Sequence, residues 1–206
     1  MGALKETATG RSARTRAGLV EATLVRLRTD GSFTAEQVAT DAGVSVATIY
    51  NRFPDGRDGL LAAAFDQSLE RVVGASVETL TVENLLDNGL DRTMCTLVEE
   101  LADVFTDEAL VMRVALARLP ESRLLRDIYR RHETIARQAN RRFIELGQVA
   151  NRISDGDADE LADLLIVLGQ GVNNPLVLGA ADRRRLCARL SAVMVAALSP
   201  MALEVR

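Results

Sequence analysis

The side chains best suited to chemistry in this 206-residue chain sit in one short run, Ser45-Val46-Ala47-Thr48-Ile49-Tyr50-Asn51-Arg52. The run offers hydroxyls, an amide and a guanidinium with small methyl groups between them. Donors of this kind grip phosphate oxygens, and small apolar groups suit the methyl of thymine. On a helix, Ile49 turns inward with the flanking Val44 and Phe53. Val46, Ala47, Tyr50 and Asn51 then face outward, with the hydroxyls of Ser45 and Thr48 and with Arg52. Asn51 suits either an adenine edge or a phosphate. The chain has no comparable set for bond-making chemistry. One His and two distant Cys do not supply a zinc site, and the Glu-x-x-His pairs of di-iron bundles are missing. A phosphate-cradling glycine loop and a nucleophile elbow are missing too. The reading is therefore of a binding protein and not an enzyme, with no metal and no cofactor expected.

So short a helix does not stand alone in water, and its neighbours must hold it out. Thr34 and Gln37 form a capping box that opens a helix carrying Val38 and Ala39 inward. Ala39 is small enough for a close helix crossing, and Gly43 can take the positive φ of a tight turn. Ser45 then caps the short run, so that two helices of about two turns each form a helix-turn-helix outline. Before them, Leu19, Val20, Ala22, Leu24 and Leu27 recur at helical spacing and predict a first helix over 12–28, preceded by a leader without order. After them, a fourth helix is expected from Arg57, with Leu60, Leu61, Ala64, Phe65 and Leu69 on one face.

Composition agrees with an all-α protein: 48% hydrophobic residues, 3% aromatic, no Trp and only 4 Pro. Long helices are predicted over 82–105, 107–119, 121–147, 158–178 and 182–198, with breaks at Thr106, Pro120 and Ser154-Asp155-Gly156-Asp157. Asp157 is the expected cap of the fourth of these, and Asn173-Asn174-Pro175 is expected to kink or interrupt it. His132, inside Arg130-Arg131-His132-Glu133, reads as part of a solvated face, whereas Met94, Phe105 and Met112 read as core. No stretch is long and apolar enough to span a membrane. Cys95 and Cys187 read as buried free thiols, which with the lack of a secretory signal predicts a cytoplasmic protein. The net charge is −4, yet residues 1–28 carry +4 and the rest −8. Such a chain meets a polyanion at one end only.

The run Ala-Gly-Val-Ser-x-x-Thr-x-Tyr-x-x-Phe at Ala42–Phe53 resembles the signature of the TetR family of bacterial regulators. The family's layout is also similar: about 200 residues, three N-terminal helices, a linking fourth and a helical body. The motif resemblance covers about a quarter of the chain. It implies a helix-turn-helix DNA-binding domain over 1–56 and a ligand-binding and dimerisation domain over 57–206. It further implies base contacts by Val46 and Ala47, phosphate contacts by Thr48, Tyr50 and Arg52, and Thr34 pointed at the backbone. A cation opening the fourth helix also meets phosphate in this family, and Arg57 is the candidate, although the loop before it is one residue longer than usual. Where an aromatic is conventional near the end of the first helix, Arg26-Leu27 stands instead. The expected partners are double-stranded DNA with an inverted-repeat operator, a second copy of the chain joined through its last two helices, and a small-molecule effector, whose binding releases a repressor. A regulator of the same form without any effector is the alternative.

Overall fold

The computed structural model describes the backbone from Gly2 to Ser199 and the side chains from Gly10 to Ser199. The described residues are all helical: α1 (Gly2–Asp30), α2 (Ala35–Asp41), α3 (Val46–Arg52), α4 (Gly56–Thr79), α5 (Val82–Ala117), α6 (Arg123–Val149), α7 (Ala158–Gly171), α8 (Pro175–Leu178) and α9 (Arg183–Leu198). By contacts the chain divides into two compact units. The first holds the residues up to Ser68 together with Glu108–Tyr129; the second holds Leu69–Asp107 and the residues from Arg130 on. The first unit thus contains more chain than the expected 1–56 segment, because α4 contributes the buried Leu60, Leu61, Ala64 and Phe65 to it.

In the first unit α1 begins at Gly2, ten residues before the expected start. Ala3, Leu4, Lys5, Glu6 and Ala8 are strong helix formers and no proline interrupts them, so the leader is helical and not without order. Its inner face buries Leu19, Val20, Leu24 and Leu27, while Ala22 is only half-buried. Thr23 joins that face at no desolvation cost, since its hydroxyl donates to the Leu19 carbonyl (2.8 Å). Phe65 on α4 stacks against Tyr129, with ring centroids 6.5 Å apart and planes 4° from parallel.

In the second unit α5 runs through Thr106, where a break was expected. The Thr106 hydroxyl donates back to the Ala102 carbonyl (2.7 Å) and leaves the helix intact. The irregularity falls at Gly89 instead, whose φ of 76° and ψ of 167° are open to glycine. Asp157 caps α7 as expected, accepting from the amides of Asp159 and Glu160. The Asn173-Asn174-Pro175 segment does interrupt the chain: α7 stops at Gly171, Asn174 caps α8, and Pro175 takes its first position, where a missing N–H costs nothing. Met94 and Phe105 are core. His132 is not on a solvated face; it is 4% exposed, on the inner side of α6 with Asn140, Phe143 and Ile144.

Candidate nucleic-acid interface

Local hydrogen bonding sets the position of α3. At the start of α2 the Gln37 amide donates to Thr34 Oγ1 (3.2 Å) and the Thr34 amide donates to Gln37 Oε1 (2.9 Å), which completes the capping box. At its end the Gly43 amide donates to the Thr40 carbonyl (3.1 Å) and the Val44 amide to the Ala39 carbonyl (2.9 Å). This pair of bonds requires a left-handed residue between them, and Gly43 supplies it with φ of 65°. Nothing lies within 4 Å of a Cβ at that position, so backbone conformation alone calls for glycine there. Two residues on, Ser45 caps α3: its Oγ accepts from the Thr48 amide (3.3 Å) and lies 3.0 Å from Thr48 Oγ1.

Ile49 and Phe53 are buried, and they pin α3 to the unit while Val44 is half-buried. Ser45, Ala47, Tyr50, Asn51 and Arg52 are exposed, and Val46 and Thr48 are half-exposed. Together they make one continuous outward face. Tyr50 is 55% exposed, and its ring lies over Gly56: a Cβ there would come within 2.8 Å of Tyr50 Cε1. Gly56 also has φ of 56°. The longer loop is therefore accommodated by a glycine that seats Tyr50, and α4 opens at Gly56, one residue earlier than expected.

The arginines of this unit divide by what they hold. Arg16 Nη1 donates to the Arg52 carbonyl (3.0 Å) and its guanidinium covers the Phe53 ring at 4.1 Å. Arg57 Nε donates to the Phe33 carbonyl (3.1 Å), with its guanidinium 5.0 Å from the Phe33 ring. Arg57 thus braces the loop before α2 while remaining exposed. Arg26, in place of the conventional aromatic, makes a two-pronged bond to Asp41 at the end of α2 (2.6 and 2.9 Å). That guanidinium holds the Asp41 carboxyl below the ordinary range. Arg52 makes no side-chain hydrogen bond or ion pair among the described residues. Thr34 is exposed, and beside it the Glu36 carboxyl is held below its ordinary value by its own backbone N–H and by the Thr34 hydroxyl. An approaching phosphate therefore meets a carboxylate at the α2 start unless Glu36 turns away.

Sequence reasoning missed one group in this unit. Glu108 on α5 is fully buried and accepts from Arg28 Nη2 (2.7 Å) and Nε (3.2 Å) at the end of α1. Ser68 Oγ on α4 lies 2.8 Å from Glu108 Oε2 and 3.1 Å from the Ala64 carbonyl, and its one proton serves either. Arg28 is 80 residues from its partner, so no local pattern announces the pair.

The second unit presents a different surface. On α7, Leu164 and Val167 are exposed, the latter by 63%, and on α9 Leu186 and Val193 are exposed as well. Leu161, Leu168 and Leu190 are half-buried beside them, and Leu165 and Met194 are core. The two helices pack on each other, so this is one apolar face. Cys187 is buried and Cys95 half-buried; both are free, and burial pushes both thiols up. On α6, Asn140 is 5% exposed and its Oδ1 is buried with no hydrogen-bond partner among the described residues. No helix of the described residues is long and apolar enough to cross a membrane.

No family profile matches the sequence, and no curated protein does. Solved structures do match. A TetR transcription regulator from Haloarcula marismortui aligns with a TM-score of 0.73 over 91% of this chain and 99% of its own, at 20% identity. A TetR-family transcriptional regulator from Mesorhizobium loti aligns with a TM-score of 0.75 over 92% and 98%, at 18% identity. SmeT, in complex with triclosan, aligns with a TM-score of 0.70 over 93% and 95%, at 18% identity. The chain has the fold of the TetR regulators over nearly its full length.

Proposed function

We propose that this protein is a TetR-family transcriptional regulator that binds an inverted-repeat operator as a homodimer. The observation that carries the reading is the outward face of α3, held clear of the core by the caps at Thr34 and Ser45 and the turn at Gly43. In this reading Val46 and Ala47 touch base edges, while Ser45, Thr48, Tyr50 and Arg52 bond phosphates. Asn51 serves either purpose. Arg57 contributes charge from its braced position, and Thr34 meets the backbone once Glu36 turns aside. The apolar face of α7 and α9 joins two copies, because a symmetric operator requires two heads about 34–36 Å apart.

The reading includes a small-molecule effector that releases the protein as a repressor. Its support is the ligand carried by SmeT, and the buried polar Asn140 and His132 on the inner side of α6. Unbiased selection of duplexes from a random pool tests the DNA reading: enrichment of an inverted repeat is expected, and a pool left unenriched removes it. Thermal shift against a metabolite panel tests the effector. Stabilisation by a compound that also lowers DNA affinity is expected, and uniform failure favours a regulator without one.

A further inference from the structure

We propose that the N-terminal half of α1, through Arg11 and Arg14, is a second DNA contact that grips backbone phosphates beside the stretch read by α3. The inference rests on the DNA-binding reading above. From Gly10 to Gly18 no side chain of α1 is buried; among the described side chains the first to be buried is Leu19. At about 1.5 Å per residue, some 13 Å of helix stands off the core there.

One point ties this stretch to the candidate interface. Arg16 bonds the Arg52 carbonyl at 3.0 Å and covers Phe53, which fixes α1 against the C-terminal end of α3. Arg14 and Arg11 follow two and five residues further out, on the side of α1 turned away from the Arg16 contact. Both are exposed, and neither side chain makes an ion pair or hydrogen bond among the described residues. Arg26 and Arg28 on the same helix behave otherwise, being paired with Asp41 and Glu108. The chain holds 29 acidic residues against 25 basic ones, so carboxylates are plentiful, yet among the described residues none pairs with these two. Arginines three apart on a helix put two guanidiniums on neighbouring positions of one surface, and a duplex presents a negative charge about every 1.7 Å along its axis. The fitting occupant is therefore the DNA backbone, held without regard to sequence.

The test uses the full-length chain and a labelled random-sequence duplex, with affinity measured by fluorescence anisotropy across a salt series. The Arg11→Ala/Arg14→Ala variant is expected to lower the slope of log affinity against log salt by about two per chain bound. Circular dichroism should be unchanged, since both residues are exposed, and Arg11→Lys/Arg14→Lys should restore the slope. As a charge control, Arg142→Ala/Arg152→Ala removes two exposed arginines of the second unit and should leave the slope as it is. An unaltered slope in the Arg11/Arg14 variant, or an equal fall in the control, overturns the proposal while the DNA reading stands. A wild-type chain that binds no duplex at any salt overturns both.

Discussion

Arg28 and Arg52 lie in the same compact unit, and they do opposite things. Arg28 closes on a fully buried carboxylate, Glu108, with the Ser68 hydroxyl 2.8 Å from it. Arg52 stands at the end of α3 with its side chain exposed and no acidic partner among the described residues. A guanidinium paired inside the fold is part of the architecture, and one left outside is available to a ligand. The same division runs along the α3 region: Ile49 and Phe53 hold the helix, and Val46, Ala47 and Arg52 are presented by it.

Substitutions should separate the two classes by their readouts. Arg28→Ala strands the Glu108 carboxylate in the core, and urea denaturation should show a loss of about 3 kcal/mol. The salt dependence of DNA binding by the folded protein should not change. Gly56→Ala comes next. It forces a positive φ on a side chain and drives a Cβ into the Tyr50 ring, for a loss of about 1–3 kcal/mol and weaker DNA binding. Thr34→Ala removes half of the capping box and should cost about 1 kcal/mol in the same assay. Arg52→Ala should leave stability within about 0.5 kcal/mol and instead lower the salt slope by about one. A stability loss like that of Arg28→Ala would place Arg52 with the architecture.

The smallest effect is a pH dependence. Arg26 holds the Asp41 carboxyl below its ordinary value of 3.8, so the folded value lies below the unfolded one. That pair contributes stability above the ordinary carboxylate range and loses it as pH falls through the depressed value. Asp41→Asn should therefore remove part of the acid-side fall in the urea midpoint and leave the neutral side flat.

What was legible in the sequence was local. The caps at Thr34, Ser45 and Asp157, the turn at Gly43 and the interruption at Pro175 all depend on residues within a few positions of each other. The Thr106 break failed because a threonine hydroxyl can turn back onto its own helix, while Gly89 looks in sequence like any tolerated glycine. His132 was misread from its charged neighbours. Its spacing from Leu125, Ile128, Phe143 and Ile144 carried the signal that it belongs to the inner face of α6. Arg28 and Glu108 offered no such signal, since only the fold brings together residues 80 apart. For the same reason the sequence placed Arg57 at the right helix end without revealing that Phe33 holds it.

If the outward face of α3 meets base edges, its side chains set the sequence that a selection of bound duplexes returns. Replacing Ala47 by Ser, or Val46 by Ala, should change the recovered half-site sequence while the spacing of the two half-sites stays the same. Recovery of the wild-type half-site by both variants would mean that this face does not read the bases.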